Sequence, residues 1–260
     1  MRTLALRLRY DGSRFHGWQV QKTKRAERPL PTVCGEVERG LAKILKSPVS
    51  VVGCGRTDAG VHAERYCASF RTEGTIPAER LPYALNTVLP PEIAAVDAAD
   101  APDDFNAILS CVKKEYTYRV ICSRLRDPFL ANRVHYYGQT PDLAAMRTAA
   151  QAFVGTHDFA AVRNVGTMTK TTVRTVHWFE SEMDGDALTF RVCADGFLYN
   201  MVRAMVGTLL YVSEGKLAAE EIPRLLELGD RRLTGPTVPP HGLYLSRIWY
   251  DGEVGEMMAR

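Results

Sequence analysis

The residue pattern predicts an α+β fold made of two similar domains, each running β-α-β-β-α-β, on three observations. Residues 3–10, TLALRLRY, alternate like a strand, and Val33, Val37, Leu41, Ile44 and Leu45 then recur at helical spacing. The second half restarts in the same way, with KEYTYRVI reading as a strand and DLAAMRTAAQAFVG as a helix. A chain of 260 residues, 46% of them hydrophobic, can bury a substantial core, and its length allows one large domain or two small ones. The order is ferredoxin-like, and two antiparallel or mixed sheets are expected to face each other across a central cleft, a common place for a binding site. The predicted boundary puts residues 1–101 in the first domain and 102–260 in the second.

In the first domain, strand and helix are followed by strand-like VSVVGC and RYCASFRT, a short helical PYALNTVL, and EIAAVDAA as the last strand. The intervening QKTKRAERPLP, within 21–31, is basic, proline-ended and aperiodic, and reads as a mobile loop. In the second, TTVRTVHWFESEMDGDALTFRVCADG holds a hairpin around Asp184, Gly185 and Asp186. FLYNMVRAMVGTLLYVSEG is helical and apolar nearly all round, which predicts burial. AAEEIPRLLELGD reads as a peripheral helix and GLYLSRIWYD as the closing strand.

No uninterrupted apolar run reaches membrane-spanning length, and MRTLALRLRYDG alternates where a signal peptide needs an apolar block, so a soluble, unexported protein is expected. The six cysteines are scattered and read as reduced and structural, and the six histidines lack metal-binding spacing, so no metal centre is expected. Net charge is only +3, but residues 1–28 carry eight Lys/Arg against Asp11 and Glu27, and 111–133 carry six against Glu115 and Asp127. Residues 213–230 lean the other way, with five acidic against two basic. Such asymmetry fits a basic face meeting phosphates, and equally an ordinary solvated surface.

Asp58 lies in GRTDAG, where Gly55 and Gly60 permit a sharp turn and Arg56 puts a fixed positive charge two residues away. A guanidinium nearby favours the ionised carboxylate that nucleophilic work requires, although Asp in a glycine turn also has a purely structural use. Arg203 sits inside the apolar helix, where a guanidinium needs an anion, and Asp58 is a candidate partner alongside a structural ion pair. Tyr116 and Tyr118 share one face of their strand, suiting either a core or a base-stacking platform. In RYDGSRFHGWQVQ, Arg14, Trp18 and Gln19 stand among glycines and further polar groups, a mixture used to recognise looped RNA, with Trp18 and Phe15 as core the alternative.

Together these segments resemble the tRNA pseudouridine synthase A family. RYDGSRFHGWQVQ, GCGRTDAGVHA, ALNTVLP, KEYTYRV, GFLYNMVRAMVG and GLYLSRIWY stand in the family's order across nearly the whole chain, and GRTDAGVHA is highly specific. The resemblance implies isomerisation of uridine to pseudouridine at positions 38, 39 and 40 of the tRNA anticodon stem-loop, without redox chemistry, metal or cofactor. It implies Asp58 as the catalytic aspartate, Arg56 displacing and holding the target nucleotide, Tyr116 stacking on the uracil, Arg203 pairing with Asp58, and Leu243 or Leu245 lining the base pocket. A cytoplasmic homodimer that binds tRNA, and neither DNA nor membrane, is also implied. Asn106 and Ile108 depart from the usual His and Arg, His241 replaces a small residue, and the basic loop is longer than usual, which bears on substrate range. A silent RNA-binding module and a phosphohydrolase using Asp58 are the rival readings.

Overall fold

The computed structural model describes residues 1–21, 30–164, 166 and 169–260. The expected basic loop falls at 22–29 outside the described residues. The chain forms two compact units, Met1–Val112 with Tyr244–Arg260, and Lys113–Leu243. The last strand, assigned from sequence to the second domain, thus folds largely with the first; an alternating pattern identifies a strand but not the sheet it joins.

In the first unit, β1 (Arg2–Tyr10) is flanked antiparallel by β4 (Ile93–Ala101) and β3 (His62–Thr72), and β3 pairs antiparallel with β2 (Val51–Gly53). This is the 4-1-3-2 order expected of the predicted connectivity. β10 (Leu243–Trp249) joins the same edge of β3 further along, in parallel, with Tyr244 opposite His62 and Leu245 opposite Ala63. Leu4, Leu6 and Leu8 are fully buried, but Thr3, Ala5 and Arg7 of the opposite face are buried too. That second face is covered by residues around Ala107, whose N–H donates to Ser69 Oγ at 3.1 Å, and by α6 (Gly252–Ala259) against β1 and β4.

The helix α1 (Val33–Leu45) starts at Thr32, whose hydroxyl accepts from Gly35 N at 3.3 Å, and buries Val33, Val37, Gly40 and Leu41 at the predicted spacing. It stops at Lys46 in the left-handed region, and α2 (Leu81–Asn86) follows before β4. The second unit repeats the plan: β5 (Lys113–Ile121) pairs with β9 (Ala187–Ala194), and β9 with β8 (Val173–Asp184), so these three stand as β1, β3 and β2 do. The two-residue turn Gly185–Asp186 closes the expected hairpin.

Two short strands went unpredicted, β6 (His135–Tyr136) on β5 and β7 (Gly155–Asp158) on β8, as did α6. The helix expected over 142–155 is α3 (Leu143–Gln151), since Gly155 at φ +113° turns the chain into β7. The helix expected from Phe197 is α4 (Met201–Ser213); Asn200 at φ 60° stops any earlier start. Ten of its thirteen residues are buried, as its apolar circumference predicts. The peripheral helix is α5 (Ile222–Leu228). No helix among the described residues is long and apolar enough to cross a membrane.

Candidate active site

Asp58 stands on the loop between β2 and β3, and the neighbours of that loop hold it at several points. Trp18 N–H donates to Thr57 O at 3.0 Å, Tyr10 Oη and Thr57 Oγ1 share a buried 2.8 Å hydrogen bond, and Val61 N–H closes back onto Asp58 O at 3.1 Å. Tyr66 Oη donates to Gly55 O at the loop's other shoulder. Buried neutral hydrogen bonds contribute about 1 kcal/mol each, and more is lost when one partner is left behind without the other. The backbone beside the carboxylate is therefore fixed by groups on β1, β3 and the 11–18 segment, while the Asp58 side chain is half-exposed.

Beneath the loop lies an aromatic cluster. Trp18 stacks on Tyr66 with centroids 4.1 Å apart, and Tyr10 leans on Tyr66 at 5.5 Å. Trp18 is only 4% exposed. The expectation that Trp18 meets RNA directly gives way to its alternative: an indole this buried and stacked on Tyr66 belongs to the core, so Trp18 supports the Asp58 loop. Gly17 brings the chain close enough for this packing, at φ +83°, and a Cβ there would sit 2.5 Å from Thr57 O.

The remaining residues of VVGCGRTDAGVHAERY divide clearly. Arg56 is exposed at the head of the loop. His62 is buried, stacked on Tyr244 at 4.6 Å, and its Nδ1 accepts from Gly12 N at 3.1 Å. Asp11 Oδ1 lies 3.2 Å from the same Nδ1, so this ring nitrogen stands between the Gly12 amide and the Asp11 carboxylate. Arg65 donates to Met258 O and Ala259 O at 3.0 and 2.9 Å, capping the end of α6.

Arg14 is exposed and pairs with Glu92 at 2.5 Å, and Gln19 is exposed. Leu245 is 1% exposed and lies opposite Ala63, on the strand that leaves the Asp58 loop. Asn106, one of the departures, builds a local turn: its Oδ1 accepts from Ile108 N and Leu109 N at 3.0 and 3.1 Å.

In the second unit, Tyr116 is buried on β5 with Phe197 edge-on at 5.1 Å. Arg203 is half-buried in the first turn of α4, donating from Nε to Val238 O at 2.7 Å and from Nη1 to Asn200 Oδ1 at 2.6 Å. These two acceptors are neutral oxygens that fix the direction of the guanidinium. Asn200 went unnoticed in the sequence, although an Asn just ahead of an apolar helix is a signal for a left-handed residue. Leu243 is 6% exposed at the start of β10. Tyr118 donates to Pro239 O at 2.8 Å; burial pushes its phenol far up, against a smaller opposite pull from Arg203, and keeps it neutral.

The match to a family model described as tRNA pseudouridine synthase spans residues 8–108 and 149–251, and so takes in the whole Asp58 loop, Arg203 and β10. The chain belongs to that family. A tRNA pseudouridine synthase A from Thermoanaerobacter sp. (strain X514) is 40% identical over 96% of this chain and 100% of its own length. The enzyme of the same name from Bacillus subtilis (strain 168) is 43% identical over 93% and 96%. A chain in the crystal structure of a Cbf5-Nop10-Gar1 complex aligns at 14% identity, covering 95% of this chain and 50% of that one, with a TM-score of 0.40, too low to bear on the site.

Proposed function

We propose that this protein isomerises uridine to pseudouridine in the anticodon stem-loop of tRNA, at positions 38, 39 and 40, with Asp58 as the catalytic carboxylate. The reaction breaks the N1–C1′ bond and forms C5–C1′; a proton leaves C5, one is gained at N1, and no atom is lost. Asp58 supplies the carboxylate, as nucleophile at C1′ or C6 or as proton acceptor. The observation that carries the reading is a half-exposed Asp58 on a loop whose backbone is held at Gly55, Thr57 and Val61, in a chain of the pseudouridine synthase family. A preorganised carboxylate loses little by reorientation when the base is extruded from its stack.

In this reading Arg56 displaces and holds the nucleotide, Tyr116 stacks on the uracil, Arg203 pairs with Asp58, and Leu243 or Leu245 lines the base pocket. Arg14 and Gln19, both exposed, contact the RNA, and Trp18 serves the same end by supporting the loop. Family membership supports a tRNA partner, and a homodimer as the working unit in the cytoplasm completes the proposal. No cofactor or metal takes part.

The test is conversion of uridine in an anticodon-arm transcript in excess EDTA. Undiminished conversion supports the reading, whereas phosphate release without conversion, abolished by EDTA and restored by a divalent ion, favours the phosphohydrolase alternative. Binding of the transcript without conversion points to a silent RNA-binding module, whose affinity falls steeply with salt.

A further inference from the structure

Arg231, in the 3-10 turn Arg231–Leu233, is half-buried. Its guanidinium donates from Nε to Asn164 Oδ1 at 3.2 Å, from Nη1 to Thr234 Oγ1 at 2.8 Å and Gly235 O at 2.7 Å, and from Nη2 to Thr237 Oγ1 at 2.8 Å. All four acceptors are neutral, and burial lowers the group's pKa from its ordinary value. Among the described residues no carboxylate pairs with this half-buried charge, and its hydrogen bonds tie several chain segments together in fixed directions.

Those segments both lead to Arg203. Asn164 N–H donates to Tyr199 O at 3.1 Å, next to Asn200, whose Oδ1 accepts from Arg203. Gly235 and Thr237 flank the stretch that ends at Val238, whose carbonyl accepts from Arg203 Nε and whose N–H donates to Arg203 O at 3.3 Å. Thr237 Oγ1 also donates to Asn164 Oδ1 at 3.2 Å, joining the two supports. The stretch is pressed onto α4: Gly235 N–H donates to Thr208 Oγ1 at 3.1 Å, and a Cβ on Gly207 would lie 1.8 Å from Pro236 O. Thr234 Oγ1 donates to Ala161 O at 2.9 Å, anchoring its near end.

We infer that Arg231 is a positioning residue for pseudouridine formation, fixing through Asn164 and the 234–238 stretch the two acceptors that aim the Arg203 guanidinium. The inference rests on the proposed role of Arg203 in the Asp58 reaction. Arg231 itself touches neither substrate nor the reacting atoms. Its five-donor planar fork is what the four acceptors require, and a lysine supplies the charge without the geometry.

The experiment measures single-turnover pseudouridine formation and tRNA Kd for wild type, Arg231→Ala, Arg231→Lys and Arg203→Lys, and for Arg231→Ala combined with Arg203→Lys, with folding checked by thermal unfolding. Arg231→Ala is expected to lower the rate about 10- to 100-fold, the scale of a roughly 1 Å misplacement, with Kd little changed. Arg231→Lys is not expected to restore it. Because Arg231 acts through Arg203, its loss in the Arg203→Lys background should cost less than about twofold. A folded Arg231→Ala at the wild-type rate, or losses that multiply in the double variant, would overturn the inference. Should Arg231→Ala fail to fold, Thr237→Val removes one acceptor and is expected to slow the rate with the same non-additivity; a wild-type rate overturns the inference equally. A wild-type protein that forms no pseudouridine removes the proposed function and this inference together, whereas an active wild type with an unaffected Arg231 variant removes this inference alone.

Discussion

Gly17→Ala separates a loop that merely contains Asp58 from one that must be held in place. The substitution adds a Cβ 2.5 Å from Thr57 O, 3.2 Å from Asp58 C and 3.3 Å from Ala59 N. Ordinary contact begins at 3.4 Å, so Thr57 must retreat by about 0.9 Å. All three atoms are backbone, and no side chain can swing aside to absorb the shift. A displacement near 1 Å at a reacting group costs on the order of 100-fold in rate. Gly17 also has φ +83°, where a Cβ costs about 1–2 kcal/mol, equivalent to a melting point lower by about 2–8 °C in a protein of this size. Gly185→Ala is the control: φ is +59° and nothing lies within 4 Å of the added carbon, so it carries a similar backbone cost without the push. Single-turnover pseudouridine formation and thermal unfolding, run on both variants, should find a melting point lowered further in Gly17→Ala, by the added cost of overpacking, and a rate loss confined to that variant. A Gly17→Ala enzyme at wild-type rate, or equal losses in the two variants, refutes the claim that loop geometry limits the chemistry.

Trp18→Ala should destabilise the fold by about 3–5 kcal/mol, the range for deleting a buried Trp, and unfolding in denaturant measures it; lost tRNA affinity with stability intact would instead mean that the ring meets RNA. The Cys34 thiol is pushed up to about 12, first by burial and then by Glu38, so at pH 8 its thiolate fraction is on the order of 10⁻⁴, against about a quarter in an unfolded chain. Iodoacetamide mapping should therefore find Cys34 protected in the native protein by about a thousandfold, and rapid native labelling would contradict that. His135 is held below the ordinary histidine value by burial, with His241 adding to the effect, so between its folded pKa and about 6.5 the unfolded chain binds the extra proton. Its contribution to stability is complete above about pH 6.5 and is lost as pH falls toward the folded pKa; His135→Gln should flatten that part of the unfolding profile, and an unchanged profile would show that another group is responsible.

Strand and helix order was legible because period-2 and period-3.6 patterns are local. β1, α1 and the Asp184–Asp186 hairpin needed nothing beyond their own residues. The destination of β10 was not legible, since GLYLSRIWY alternates identically whichever strand it joins, and the pairing of Tyr244 with His62 and of Leu245 with Ala63 decides it. The helix α6 was missed although Val254, Met257 and Met258 recur at helical spacing, in a segment of only eight residues. Asp58 stood out through its glycine-flanked turn, and that turn proved well anchored. Trp18 did not declare its role, because an aromatic ring in a basic segment suits RNA and core alike, and the choice is made by Tyr66, distant in sequence. Arg203 was conspicuous as a charge in an apolar helix, yet its acceptors, Asn200 Oδ1 and the Val238 carbonyl, are set by a left-handed residue and by a main-chain oxygen that no side-chain pattern reports.

Pseudouridine mapping of tRNA that lacks the modification, incubated with wild-type protein or with Asp58→Asn, tests the central claim most directly. New pseudouridine confined to anticodon-arm positions 38–40 with wild type, and none with the variant despite retained tRNA binding, is the predicted result. Pseudouridine formed equally by Asp58→Asn, or formed only outside the anticodon arm, would contradict the account.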